Sequence, residues 1–334
     1  MPAGHNGPWK DEESPLRNTG NWLQVFGRAY ELTGNRRLKG AVEAAARYML
    51  DPVHRPGGTV FLHRVRAGKP DGNGLIGQAW TVLGLLEAFR LLGWEELRSA
   101  AEKVIVSHPF DPLLALWSSQ ALTGQPLGVN ITLNQQIWFA VSCEALPGTG
   151  DDVPARVSAF LSKLPRYLQT LRGGLLTHLI SPWRLSRRFP SGMRSSLRAR
   201  VSGRFRPLAL AVGYQSFALQ GLAALHLSRP DEPIWTSRAL LSALAFAASE
   251  AFRQRLAENR LAYGYNPTGL EMACSVLNLG PSSGWTAEEW LEEQFRRTFD
   301  FDAWQMSRNT DDPPTLAGRL CEAVRLPNLR LRLA

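Results

Sequence analysis

"DGNGLIGQAW", residues 71 to 80, sets Gly72, Gly74 and Gly77 in a G-x-G-x-x-G spacing, with Asp71 and Asn73 among them and an apolar run behind. What flanks the stretch decides its meaning. A dinucleotide-binding turn lies between two strands, with an acidic residue at the end of the second. "TVFLHRV" (59 to 65) could supply the first strand. The segment after the apolar run, however, places Leu97, Ala100, Ala101, Val104 and Ile105 at helical spacing and reads as a helix with one buried face. The dinucleotide reading therefore fails. The glycines are expected to let the chain turn tightly into a helix and to clear room at its N-terminus.

The helix that follows, through Leu92, is apolar on nearly every side and must be enclosed by protein. The same alternation precedes it: residues 18 to 32, with Trp22, Leu23, Val25 and Phe26, come before a one-sided helix carrying Leu38, Ala41, Val42, Ala45 and Met49. Four more enclosed helices are predicted at "NQQIWFAVSCEAL" (134 to 146), "GYQSFALQGLAALHL" (213 to 227), "NPTGLEMACSVLNLG" (266 to 280) and "DPPTLAGRLCEAV" (312 to 324). Amphipathic partners are predicted at 152 to 171, kinked near Pro165, at 235 to 257, and at 286 to 299, which opens on the capping box Thr286-x-x-Glu289.

Helix pairs recurring with a mean period of about 59 residues, one member enclosed and one half-exposed, fit a closed double ring. The expected fold is all-α, an (α/α)6 toroid formed as one domain over residues 1 to 334. Only ten residues follow Val324, so the twelfth helix is expected to be missing or vestigial and the ring incomplete. A solenoid of helix pairs is the alternative, but the irregular period and unequal loops fit it poorly.

The formal charge of +9 is concentrated. No Asp or Glu occurs between Asp152 and Asp231, and eight arginines lie from Arg184 to Arg206, in an insertion at about 181 to 207 between repeats three and four. Such a segment attracts polyanions. It lacks the interleaved aromatics of a single-strand binder, so nucleic acid ranks lowest and an anionic membrane surface is the expected partner, with a mobile solvated loop as the plain reading. No run is read as a membrane span and no signal peptide is seen, which leads to a cytoplasmic location, peripheral to the inner membrane face. Cys143, Cys274 and Cys321 are widely spaced and read as buried thiols. No metal site and no cofactor are expected.

In such a ring all inner helices run the same way, and their N-terminal ends converge on one mouth. That brings together carboxylates at Asp11, Glu13, Asp71, Glu271, Asp311 and Asp312. Two carboxylates of unequal proton affinity are the apparatus of glycosidic bond cleavage, so Asp71, Asp11, Asp311 and Asp312 are the catalytic candidates. Trp22, Trp80, Trp138, Tyr214 and Tyr265 would form a sugar platform, with Asn18, Asn73, Asn134 and Glu271 as further binding groups. Arg17 and Arg308, each followed by Asn-Thr, would grip a substrate carboxylate or brace the seam between repeats one and six. Asp71, Asn18 and Asp312 are also good helix N-caps, the tryptophans also suit a core, and His178 reads as a packed histidine.

"DGNGLIGQAWTVLGLLEA", "NQQIWFA", "GYQSFALQGLAAL", "NPTGLEMA" and "TDDPPTLAGRLCEA", in this order after "ESPLRNTGNWL", resemble the AglQ-type proteins of archaeal and bacterial glycan-assembly clusters, which in turn resemble unsaturated glucuronyl hydrolases in fold. The resemblance implies a sugar-active toroid working on surface glycan or exopolysaccharide that contains uronic acid. It also implies a pair of rim aspartates, one at Asp71, and it leaves no acid or base at Gln215, where such relatives are expected to carry a histidine.

Two functions follow as expectations. One is a glycoside hydrolase-like enzyme acting on an acidic sugar through two rim carboxylates. The other is a non-catalytic glycan-binding or assembly protein at an anionic membrane or on lipid-linked sugar. A lanthionine cyclase would need a zinc site, a terpene cyclase an aspartate-rich motif and an N-acylglucosamine epimerase two rim histidines; the sequence offers none of these.

Overall fold

The computed structural model describes residues 1 to 65, 70 to 181, 207 to 280 and 284 to 333. The Arg184 to Arg206 segment, and the membrane contact expected of it, lie outside the described residues.

The helices come in pairs. α1 (Leu16–Thr33) leads to α2 (Arg36–Leu50), α3 (Gly74–Leu92) to α4 (Glu95–Ser107), and α5 (Leu133–Glu144) to α6 (Asp152–Tyr167). α7 (Pro207–Ser228) is followed by α8 (Arg238–Ala247) and α9 (Glu250–Ala257), and α10 (Thr268–Leu279) by α11 (Ala287–Thr298). α12 (Pro313–Gly318) runs into a 3-10 turn, Arg319–Ala323. α1 packs on α3, α3 on α5, α5 on α7 and α7 on α10; α10 packs on the 3-10 turn, which together with α12 returns to α1. The ring closes, and the fold is an (α/α)6 toroid. No helix follows Ala323 among the described residues. Instead Leu326, Leu329 and Leu331 lie against the core, and the Arg332 N–H donates to Glu292 on α11 at 2.7 Å.

Several boundaries differ from the sequence reading. The described part of α7 begins at Pro207, ahead of the predicted start at 213. The predicted 235 to 257 helix breaks in two at Ser249, whose side chain caps α9 by accepting from Phe252 N. α6 continues through Pro165, and the Thr286–Glu289 capping box is formed. "TVFLHRV" forms no strand, only an isolated bridge between Glu13 and Arg64. Short antiparallel pieces occur instead in the connections from outer to inner helices: β1 (Phe110–Asp111), β2 (Leu116–Gln120) and β3 (Pro126–Val129) pair in that order, and β4 (Thr170–Leu171) with β5 (Leu175–Leu176) and β6 (Phe299–Asp300) with β7 (Gln305–Met306) make two hairpins.

The expectation that no run has the length of a membrane span is also corrected. α3 and α7 are long and apolar enough to cross a bilayer, and α7 carries no charged side chain in its 22 residues. Their position explains the composition. Both are inner helices flanked by neighbours in the ring, and Val82, Leu85, Leu219 and Leu222 are wholly buried there, each contributing about 1.5–3 kcal/mol of hydrophobic stabilisation.

One repeated device ties the long connections to the inner ring. Gln78 accepts from Phe61 N at 2.8 Å and donates to Phe61 O and Gly72 O. Gln136 accepts from Trp117 N and donates to Trp117 O and Asn130 O; Gln215 accepts from Leu176 N and donates to Gly174 O and Ala243 O. Each amide satisfies backbone groups that burial would otherwise leave unpaired. Two residues beyond each glutamine stands an aromatic, Trp80, Trp138 or Phe217. These pack together across the ring, Trp138 stacked on Phe217 with centroids 5.0 Å apart and Trp80 6.4 Å from Phe217.

Candidate functional site

Above this aromatic floor, at the mouth where the inner helices begin, lies a cavity of about 210 Å³. Its lining includes Asn73 and Ile76 at the start of α3, Asn134 and Gln135 at the start of α5, Tyr214 of α7, and Tyr265 and Asn266 before α10, with Trp80 and Phe217 below. The glycines of the opening motif serve this geometry. Asn73 and Gly74 both take left-handed backbone (φ 55° and 61°), and a Cβ on Gly74 would lie 2.5 Å from Gln135 Oε1.

The remaining wall is chain that precedes α1. Asn6, Trp9 and Asp11 all line the cavity, carried by a strap that folds across the mouth. Asp312 holds the strap: its Oδ2 accepts from His5 N at 2.9 Å and Gly7 N at 3.1 Å, while Oδ1 caps α12 at Thr315 N. Burial alone would raise the Asp312 carboxyl, but the Gly7 and His5 N–H groups, the Thr315 side chain and the Arg17 charge bring it below the usual carboxylate range. Asn6 accepts from the Tyr265 hydroxyl at 2.8 Å, and Asn18 donates to Pro2 O at 3.0 Å.

Asp11, wholly buried, faces Arg64 at 3.6 Å and accepts from Asn6 Nδ2 at 3.3 Å. Asp71 serves through its backbone, where its carbonyl accepts from His63 N and Arg64 N, both at 2.8 Å, and so sets the segment that presents Arg64. Burial lowers His178 to about 4, which leaves a neutral imidazole at pH 7, and its ring packs 4.7 Å from that of Tyr214. Burial raises Tyr214 well above its ordinary value and raises Tyr265, so both remain hydroxyl donors. Together the wall offers one carboxylate, one guanidinium, one neutral imidazole, two phenols and a ring of amides.

Of the predicted site residues, Asp11, Asn73, Trp80, Asn134, Tyr214 and Tyr265 meet in this cavity. Arg17 lies behind it, 2.7 Å from Glu13 and donating to Thr315 at 3.0 Å, with its guanidinium over the Trp80 ring. It is a brace between repeats one and six. Burial comes first in raising the Glu13 carboxyl, opposed by Arg17 and Arg64. Glu271 is likewise interior, 2.9 Å from Arg319 and accepting from Ser216 at 2.6 Å; burial pushes its carboxyl up to about 7, against the pull of Arg319. Trp22 sits beside Phe26, 5.4 Å between ring centroids, and Trp138 faces the other end of the ring.

The other aspartates are not gathered with Asp11. Asp71 is exposed and outside the cavity lining. Asp311 is exposed and paired with Arg260 at 3.3 Å, Arg308 is exposed, and Asp312 is committed to the strap and its cap. Among the described residues Asp11 is the only carboxylate lining the cavity.

Asn6, Trp9, Arg64, Gln135, Asn266 and the cavity-facing role of His178 escaped sequence reasoning. The strap has no periodicity to read, being held by left-handed Asn6, Gly7 and Lys10. The Gln-x-aromatic recurrence at 78, 136 and 215 was a usable signal for the floor. Gln215, noted as a replaced acid or base, is a loop clamp. No group of His, Cys, Asp and Glu suited to a metal occurs among the described residues. Burial raises all three thiols, Cys274 to about 11, which leaves them poor nucleophiles.

A closed ring of helix pairs, with a strapped, aromatic-floored cavity at its N-terminal mouth, defines a toroid protein with one polar site at the ring axis. No protein-family model matches the chain. Along its whole length it is 37% identical to archaeal glycosylation protein Q of Haloferax volcanii, of which the match covers 93%. The chain belongs to that family. In fold it is similar to the crystal structure of a sugar epimerase from a ruminal bacterium, with a TM-score of 0.60 at 12% identity, over 95% of this chain and 89% of the other.

Proposed function

We propose that the cavity binds one residue of an acidic, uronic acid containing glycan in surface-glycan or exopolysaccharide metabolism, and that Asp11 is its acid-base group. The observation that carries this reading is that Asp11 and Arg64 face the same small cavity, among amides and phenols, over an aromatic floor. At about 210 Å³ it is smaller than the ~300–1,000 Å³ of most ligand clefts, which suits a single sugar ring. Arg64 and the N-terminal ends of α3 and α5 favour an anionic group there. The family's glycosylation name supports a carbohydrate ligand.

A two-carboxylate glycoside hydrolase scheme would require a second carboxylate on the wall. Asp11 is therefore assigned the proton transfer in partnership with the neutral imidazole of His178, and the reaction class is glycoside hydrolase-like acid-base chemistry on that ring. Wild type and Asp11→Asn are to be incubated with uronate oligosaccharides from the organism's own polysaccharide, with product release and binding both measured. Turnover that falls at least a thousandfold with binding kept supports the assignment; equal turnover overturns it.

The presence of one wall carboxylate also favours a second reading, a non-catalytic binding or assembly protein peripheral to the cytoplasmic membrane face through the Arg184 to Arg206 segment. Binding of those oligosaccharides without turnover by wild type, together with flotation on anionic liposomes that requires residues 184 to 206, would select it.

A further inference from the structure

The aromatic floor has a second side. Below it, where the inner helices end, is a larger cavity of about 450 Å³, lined by Trp80 and Trp138, by apolar side chains such as Leu83, Leu277 and Leu326, and by Asn21 and Gln220. None of the proposed acid-base machinery reaches it.

Two features mark it as built to receive something. Asn21 and Gln220 are 3% and 4% exposed, yet Asn21 Nδ2 and Gln220 Oε1 have no partner. An unpaired buried amide atom costs about 1–3 kcal/mol, so a donor on α1 and an acceptor on α7, on opposite sides of the ring, are left for a ligand that fills the space between them. The one carboxylate in its lining among the described residues, in contrast, is already matched. Glu322 accepts from Arg319 through one oxygen at 2.9 Å and from Gln220 Nε2 through the other at 2.6 Å, and Arg325 is exposed. Burial raises the Cys274 and Cys321 thiols, which also line this space, and keeps them protonated.

We infer that this cavity is a second ligand site, for an uncharged amphiphile with a hydroxyl-bearing head and an apolar body. A head with several hydroxyls can accept from Asn21 Nδ2 through one and donate to Gln220 Oε1 through another. The leucines and the two indoles cover an apolar body, and the matched Glu322 offers nothing to an ion. The site is independent of the sugar reading above, because the floor of Trp80 and Phe217 separates it from Asp11 and Arg64.

The test is calorimetric titration of the full chain with n-octyl β-D-glucoside below its micelle concentration, alongside methyl β-D-glucoside and n-octyl sulfate. Saturable one-to-one binding of octyl glucoside is expected, with at least tenfold weaker binding of the headgroup alone and of the anionic amphiphile. Ala224→Phe, which fills the cavity, and Leu277→Arg, at a partly exposed position that tolerates change, should each weaken octyl glucoside at least tenfold, and Gln220→Leu several-fold. Asp11→Asn should leave it unchanged. If Ala224→Phe fails to fold, Leu277→Arg decides. Non-saturable binding, binding equal in wild type and Leu277→Arg, or binding lost in Asp11→Asn would overturn the proposal.

Discussion

The two mouths of the ring are made from the same inner helices and share almost nothing else. At the mouth where those helices end, several connections are very short: Gly34 and Asn35 join α1 to α2, and Gly93 and Trp94 join α3 to α4. Gly34 and Gly93 take the left-handed C-cap conformation that ends a helix in one residue. At the other mouth, residues 51 to 65, 108 to 132, 168 to 181 and 299 to 312 run back across the rim and, with the strap ahead of α1, carry the small sheets and the site. Short turns leave an apolar cavity with a few amides, and long loops build a polar one. The ring fixes where a ligand can sit, and connection length decides its chemistry.

The largest expected effect comes from the wall that both mouths share. Arg319 and Glu271 are 3% and 0% exposed and join repeats five and six. Arg319→Met leaves the Glu271 carboxylate buried with Ser216 as its remaining partner, at a cost of about 3–5 kcal/mol, and should loosen both cavities together. Adding Glu271→Gln should recover much of that loss in urea melts. A single variant that weakens one mouth only would show that the seam does not tie them.

Asp312→Ala separates the mouths. It frees His5 N and Gly7 N and with them the strap that carries Asn6, Trp9 and Asp11. Uronate oligosaccharide affinity at the N-terminal mouth should fall at least tenfold, and octyl glucoside affinity at the other mouth should not move. Equal losses at both would mean that the strap supports the whole ring.

Acid should act on the same side. His63, held to Thr81 at 2.9 Å, and His108, held to Val104 O at 2.7 Å, both sit in long connections of the N-terminal mouth. Burial is the main cause that lowers them, to about 3 and about 4. The folded state then binds fewer protons than the unfolded chain between pH 6.5 and 4, so their contribution to stability is lost as pH falls through that window. Glu271 works in the opposite sense, since its raised carboxyl holds an extra proton in the folded state from pH 4.5 to about 7. With His178, also lowered to about 4 by burial, three histidines against Glu271 and the raised Glu13 leave a net loss of about 1–3 kcal/mol per pH unit between 6.5 and 4.5. Urea melts at pH 7, 6 and 5 measure it, and His63→Asn with His108→Asn should remove most of the slope, leaving His178 against the raised glutamates; a flat wild-type profile would count against buried neutral imidazoles.

The ring was readable because an all-round apolar helix next to a one-sided one admits few arrangements, and the closing contact of α12 and its 3-10 turn with α1 follows from that alternation. The site was readable mainly where a residue lies inside an inner helix or within a residue or two of its start, as Asn73, Trp80, Asn134 and Tyr214 do, with Asp11 and Tyr265 found further out. Further out, residue type does not say whether a side chain turns toward the axis or away. Asp311 and Asp312 are adjacent, yet one pairs with Arg260 at the surface and the other anchors the strap beneath it. The two "RNT" sequences diverge for the same reason, because Arg17 lies in the first turn of α1 while Arg308 follows β7.

That divergence yields the smallest expected effect. Asp311 and Arg260 are 46% and 66% exposed at the side chain, where an ion pair contributes about 0–1 kcal/mol, and Arg308 is fixed to the fold by its backbone N–H, 2.9 Å from Thr298 O. Asp311→Asn and Arg308→Gln should each change stability by less than about 0.5 kcal/mol and leave uronate oligosaccharide and octyl glucoside affinities as they are. A tenfold loss of the oligosaccharide in either variant would require the 307 to 312 loop to reach over the strap when ligand is bound. The N-terminal mouth would then close in two layers, with a second carboxylate arriving beside Asp11 from outside the cavity, and the two-carboxylate scheme would regain its missing partner.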